Sequence, residues 1–182
     1  MPKITQEKGF DGAEERARRL GLAPLLAELT DILTNFELLV EEKRDSNGGA
    51  AIRHLVDERF RRSQGWTNKS SGGVDWTKCH TVNGTQVCIG VEIQLSARSD
   101  LLIIDVVHLR DDITSGQIDV GVIVAPSDRL AVYLTDRVAR FADAVRAVER
   151  ARAEDLPLII LGLEHDGPGL PLAKQRTRQG KD

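Results

Sequence analysis

Asp75 and Glu92 flank an Asn83-Gly84 dipeptide set between two strand-like runs. Asn-Gly in that setting signals a two-residue hairpin turn with positive φ at both central residues. Val82 and Thr85 then pair, and each further pair keeps the same sum of residue numbers, 167, which Asp75 and Glu92 satisfy. Directly opposed residues hold their Cβ atoms about 4.5–5.5 Å apart. Gln94 lies two residues beyond Glu92, on the same face. Opposed carboxylates repel by a few tenths to about 1 kcal/mol, and a divalent cation between them removes that repulsion. Mg²⁺ is commonly held by one or two carboxylates together with water and phosphate oxygens. A solvated hairpin whose acids merely face water is the other reading, and geometry alone leaves both open.

The opposite face tests the register. It carries Val74, Trp76 and Val82 on one strand and Val87, Ile89, Val91 and Ile93 on the other. A one-residue slip would bury the acids and expose that apolar row. The same register opposes Cys79 and Cys88. A cross-strand disulfide is conceivable, but two reduced thiols packed beside the site are expected, because a reducing cytoplasm disfavours disulfides. His80 points to the other face, and two thiolates alone make a poor zinc site.

The elements that position these residues read as α/β. Residues 13–20 form a short charged helix. Pro24 is placed to start the next one, and an apolar period from Leu22 to Val40 predicts a long helix to about Glu42. A loop at 45–49 precedes a helix at about 50–62, and a Ser/Gly loop runs from Lys69 to Gly73. Residues 118–125 read as a buried strand, residues 136–153 as a helix, and residues 156–163 as another buried strand. Residues 99–110 are ambiguous: they are rich in β-branched residues, yet Ser99 and Asp100 are good N-caps. Strands with helices on both sides imply a three-layer α/β/α domain with a central mixed β-sheet. A single domain over residues 1–167 and a mobile tail over 168–182 are expected.

Composition agrees with one globular domain. The 182 residues are 41% hydrophobic and 29% charged. No apolar run reaches the roughly 20 residues that span a bilayer, and residues 1–9 lack the apolar core of a signal peptide. A cytoplasmic protein is expected. No glycine-rich phosphate loop suggests a nucleotide cofactor. The net charge of −3 does not exclude a DNA partner, because DNA responds to local potential. The basic clusters at Arg16, Arg18 and Arg19, at Arg59, Arg61 and Arg62, and at Lys174, Arg176, Arg178 and Lys181 read first as solvated faces.

Asp75 followed by Glu92-Ile93-Gln94 resembles the acidic core of the PD-(D/E)xK nucleases, with Gln in the lysine position. That variant is similar to the type II restriction endonucleases around BamHI, BglII and BstYI. Gln64-Gly65-Trp66, residues 118–122, Pro126-Ser127, residues 133–138, residues 157–162 and Glu164-His165-Asp166 follow the same order. The resemblance covers about residues 50–167 and implies a restriction-endonuclease-like fold, with a helix over 99–110. It implies Mg²⁺-dependent hydrolysis of double-stranded DNA at a short palindrome, possibly centred on GATC, leaving 5′-phosphate ends.

By the same resemblance, Asp75 and Glu92 hold Mg²⁺ with the backbone carbonyl of Ile93. Gln94 orients water or offers its oxygen; an amide is no general base at neutral pH. Glu58 is a helical acid that could assist, or an exposed acid pairing with Arg61 or Arg62. Thr135-Asp136-Arg137 at a helix N-terminus would read the major groove, Arg137 on guanine and Asp136 on cytosine; an N-cap threonine with a first-turn acid is the plainer reading. Ser96, Arg98 and Ser99 are further DNA contacts, beside Ala97 where relatives often carry Asn. A palindrome implies a homodimer. Another metal-dependent nuclease of repair or structure-specific type, or an inactive DNA-binding relative, are the alternatives.

Overall fold

Asn83 and Gly84 both adopt positive φ, 51° and 81°, and the chain reverses there as expected. Strands β4 (Trp76–Val82) and β5 (Thr85–Ile93) pair in the predicted register, from Val82 with Thr85 to Trp76 with Val91. The computed structural model describes residues 1–68, 73–96, 99–135 and 137–174. The rest of the sheet comprises β1 (Lys3–Gly9), β3 (Thr67–Asn68), β6 (Val120–Pro126) and β7 (Leu158–Glu164). The strand order is β1-β7-β6-β5-β4-β3. The three central strands β5, β6 and β7 are mutually parallel, and the flanking pairings are antiparallel. A separate parallel pair joins β2 (Leu39–Val40) to β8 (Gly167–Pro168).

Strand alternation sorts side chains between two cores. Val87, Ile89, Val91 and Ile93, with Val122, Val124, Ile159 and Leu161, pack on one face. There they meet α2 (Ala23–Thr34) and α3 (Gly49–Arg62) through Leu29, Leu33, Ile52, Val56 and Phe60. Ile123, Ala125, Leu158 and Ile160 face the other way. They meet α4 (Leu102–Thr114) and α6 (Phe141–Arg150) through Leu102, Val106, Leu109, Ala144 and Val148. Helix α1 (Ala13–Arg19) buries Ala13 and Ala17, and α5 (Asp128–Tyr133) buries Leu130. The result is the expected three-layer α/β/α fold with a mixed central sheet.

Several boundaries differ from expectation. The helix expected to reach Glu42 ends at Thr34; residues 38–40 alternate buried, exposed, buried, and Leu39–Val40 form β2 instead. The helix expected from Asp136 begins at Phe141, with Arg140 as N-cap donating its backbone N–H to Asp143 Oδ2 at 3.2 Å. A separate helix, α5, precedes it, capped by Ser127. The 99–110 segment is helical, but its N-cap is Leu101 rather than Ser99 or Asp100. Strand β1 was unforeseen; Ile4 is the one apolar residue within it. The tail expected to be mobile from residue 168 is tied down as far as Lys174. Leu172 donates its N–H to the Asn47 Oδ1, and Lys174 Nζ donates to the Asp45 carbonyl. The loop reading for Lys69 to Gly72 lies outside the described residues.

Candidate active site and metal centre

Glu92 and Gln94 sit on β5 and its continuation, on the sheet face that looks toward α4. Both are buried, at 4% and 6% exposure. The face expected to be wet is therefore covered, since β5 is a central strand packed on both sides. Val74 also departs from expectation. It lies in the α4-side core, in line with Gly90, because the chain bends at Asp75 before β4 begins. A Cβ on Gly90 would stand 2.6 Å from Ile118 Cδ1 and 3.2 Å from Val74 Cγ2. Glycine thus permits the close approach that brings Asp75 in beside β5.

The two acids come together beside the end of the ladder, which starts at Trp76 and Val91, rather than as a pair within it. Asp75 Oδ2 accepts the Ile93 N–H at 2.8 Å, which sets its carboxylate near enough to Glu92 for the Asp75 charge to push the Glu92 carboxyl up. Arg53, from α3, completes this corner. One of its amino groups lies 2.9 Å from Asp75 Oδ1, another donates to the Ile93 carbonyl, and its Nε lies 2.9 Å from Asp57 Oδ2. Phe60 stacks on Trp76 at 5.0 Å and meets Trp66 edge-on, while Trp76 Nε1 donates to Asp57 Oδ1 at 3.1 Å. Aromatic packing thereby fixes α3 against β4 and sets the reach of Arg53.

Helix α4 supplies groups that the sequence reading missed. Gln94 Nε2 donates to Asp105 Oδ2, and His108 Nδ1 lies 3.2 Å from Glu92 Oε1. The metal-ligating atoms of Glu92, Asp105 and His108 all fall within 4.8 Å of one another. Burial, then the Asp75 and Asp105 charges, push the Glu92 carboxyl up to about 10. Burial likewise pushes Asp105 up to about 7, although its bond from Gln94 opposes the rise. Acids crowded and desolvated in this way favour protons or a cation. A signal was available: Asp105 and His108 stand at i,i+3 on one helical face, and Asp105 interrupts an apolar stripe. Arg53 and Asp57 stand similarly at i,i+4.

Glu58 is not brought to this centre. It pairs with Arg61 at 2.7 Å and with Arg62 at 3.7 Å. One residue earlier, Asp57 is the acid of α3 that faces inward, a phase difference of about 100° around the helix. The disulfide expectation is also corrected: Cys79 and Cys88 are bonded, with Cα atoms 4.0 Å apart across the ladder.

The proposed DNA contacts are partly gathered. Arg137 lies in a turn at φ 54° rather than at a helix N-terminus, because α6 starts only at Phe141. It lines a cleft of about 340 Å³ with Ser99, Arg44, Arg140, Asp128 and Asp143. Thr135 donates its N–H to the Asn47 carbonyl. Ser96 is exposed just beyond Leu95. Asp136, Ala97 and Arg98 lie outside the described residues.

A mixed sheet between helical layers, with Glu92 buried on a central strand and the half-buried Asp75 beside it, is the arrangement of a nuclease of the restriction-endonuclease type. The family described as restriction endonuclease BglII/BglIII matches residues 19–163, and the chain belongs to it. The protein is accordingly a type II site-specific deoxyribonuclease acting on double-stranded DNA. No curated protein matched the chain. Among the described residues, no helix is long and apolar enough to cross a membrane.

Proposed function

We propose that this restriction endonuclease uses Mg²⁺, bound at Asp75 and Glu92, to hydrolyse both strands of a short palindromic site. The observation that carries the reading is Asp75 bonded to the backbone N–H of Ile93, the residue next to the buried Glu92, with Arg53 bridging Asp75 and the Ile93 carbonyl. The donor set suits the ion. Arg53 engages Asp75 and the Ile93 carbonyl, but each oxygen keeps a lone pair. Bound there, Mg²⁺ would polarise a phosphoryl oxygen, activate water and stabilise the leaving oxygen.

The protein groups then have distinct tasks. Asp75 and Glu92 hold charge, and the Ile93 carbonyl offers a third ligand. Gln94 cannot take a proton at neutral pH, so it orients the attacking water or offers its oxygen. Arg53 places a permanent positive charge where a scissile phosphate approaches. Arg137 and Ser99, on the cleft described above, are the proposed sequence-reading contacts, with Thr135, Asp136, Ser96 and Arg98 beside them. A palindrome centred on GATC, 5′-phosphate ends, a homodimer with one centre per strand, a single catalytic domain over residues 1–167 and a cytoplasmic location complete the reading.

Incubation of unmethylated plasmid with Mg²⁺, followed by sequencing of the ends, tests it. Discrete fragments sharing one palindromic end are expected. Smears or nicks would indicate a nuclease without site readout, and intact plasmid would indicate an inactive DNA-binding relative.

A further inference from the structure

The face of α4 that meets β5 presents more ligating atoms than the proposed Mg²⁺ site requires. His108 Nδ1 approaches Glu92 Oε1 at 3.2 Å, and both lie with Asp105 inside one 4.8 Å span. A histidine–carboxylate hydrogen bond alone would account for two of these groups. It does not account for Gln94. That side chain is 6% exposed and its amide nitrogen is used on Asp105, yet its Oε1 is buried without a partner among the described residues. A buried amide oxygen left unpaired costs about 1–3 kcal/mol, and here it belongs to a carboxamide already bonded into the cluster.

We propose that Glu92, Asp105 and His108, with the Gln94 amide oxygen, form a second cation seat that selects a transition-metal ion such as Mn²⁺, Co²⁺ or Zn²⁺ over Mg²⁺. The selectivity follows from the imidazole. Mg²⁺ prefers oxygen donors and keeps its waters, whereas nitrogen ligands suit the first-row transition ions. Two donors each about 2.1 Å from one ion stand at most about 4.2 Å apart, so small side-chain rotations bring the three together. The His108 side chain is 34% exposed, which leaves a route from solvent. The Asp75 side of the centre is different in kind. There Arg53 already contacts Asp75 and the Ile93 carbonyl, so the two seats share Glu92 but differ in their remaining donors.

The inference shares Glu92 with the proposed nuclease centre and rests on that reading for the role of the second ion, but its binding is measured without DNA. The full-length protein, free of any histidine tag, is titrated with Co²⁺ and separately with Mg²⁺, with binding followed by calorimetry. His108→Gln and Asp105→Asn are each expected to weaken Co²⁺ by at least about tenfold while shifting Mg²⁺ less than about twofold. Pulsed electron paramagnetic resonance of the Mn²⁺-loaded wild type should show coupling to an imidazole nitrogen, and the His108→Gln protein should not. That spectrum does not depend on a variant folding. Unchanged Co²⁺ affinity in His108→Gln, equal weakening of both ions, or no nitrogen coupling in the wild type would each overturn the inference. Plasmid cleavage in Mg²⁺ without nitrogen coupling would sink this seat alone, whereas His108-dependent Co²⁺ binding without cleavage would sink the nuclease reading alone.

Discussion

Arg53 spans from α3 to Asp75, its amino group 2.9 Å from Asp75 Oδ1, while a second amino group takes the Ile93 carbonyl. The guanidinium is the counter-charge that lets Asp75 sit beside Glu92, and it opposes the upward push on both Glu92 and Asp105. Arg53→Met should leave Asp75, Asp57 and a backbone carbonyl short of a donor. Removing one partner of a largely buried pair costs about 1–3 kcal/mol here, at the lower side of the usual range because both groups retain some solvent. Urea unfolding of the metal-free protein checks this. Arg53→Lys, with no fork to bridge three acceptors, should recover only part of the loss.

Glu92 is costly to ionise where it stands. Glu92→Gln keeps the shape and removes the acid, so the metal-free protein should be at least as stable as wild type near neutral pH and more stable at pH 9. Cleavage should nonetheless fall by at least about a hundredfold, beyond what loss of an outer-shell partner costs. Thermal unfolding at the two pH values, together with single-turnover cleavage, separates the effects. A destabilised Glu92→Gln protein would contradict the burial argument.

The same carboxyl sets a pH dependence. Its folded-state pKa of about 10 lies above the ordinary value of 4.5. Between those values the unfolded chain binds fewer protons than the folded one. The contribution is therefore fully present below about pH 4.5 and is lost as pH rises toward 10, with a slope of up to about 1.4 kcal/mol per pH unit. Asp105, at about 7, adds the same sign over a lower window. Denaturation midpoints of the metal-free protein should fall from pH 5 to pH 9. Saturating Mg²⁺ should flatten the slope, because ion and proton compete for Glu92.

The hairpin was legible in the sequence because its signals are local. Asn83-Gly84 demands positive φ, and alternation then fixes which residues oppose. That placed both cysteines correctly in the ladder and Glu92 and Gln94 on one face of β5 and its continuation, whereas Asp75 stands at the bend just before the ladder begins and reaches β5 through the Ile93 N–H. The buried strands β6 and β7 were legible for a similar reason, as short apolar runs bounded by Pro126 and Pro157. What the sequence concealed depends on packing between distant elements. Arg53, Asp57, Asp105 and His108 have no motif of their own; they matter because α3 and α4 dock on opposite faces of β4 and β5. The choice of Glu58 over Asp57 shows the limit of spacing arguments, since one residue of helical phase turns a side chain from the site to solvent. The 136–153 helix failed in the opposite direction: an apolar period continued back through Val138, which is buried in the non-helical stretch before α6.

Arg137 is exposed on the cleft shared with Ser99, Arg44 and Arg140. A bidentate base contact gives about 1–3 kcal/mol of discrimination. Arg137→Ala should therefore lower the preference for the cognate site over singly substituted sites by roughly 5- to 150-fold, while Mg²⁺ binding holds. Competition cleavage of an oligonucleotide set measures this. Undiminished preference would assign Arg137 to phosphate or to no DNA contact.

The most direct test of the Asp75–Glu92 seat is Mg²⁺ titration of the folded wild type beside Asp75→Asn, with binding by calorimetry and plasmid cleavage read in parallel. The account predicts that Asp75→Asn keeps the wild-type circular dichroism spectrum, weakens Mg²⁺ by at least about tenfold and abolishes cutting. An Asp75→Asn protein that binds Mg²⁺ and cuts the plasmid as the wild type does would contradict it.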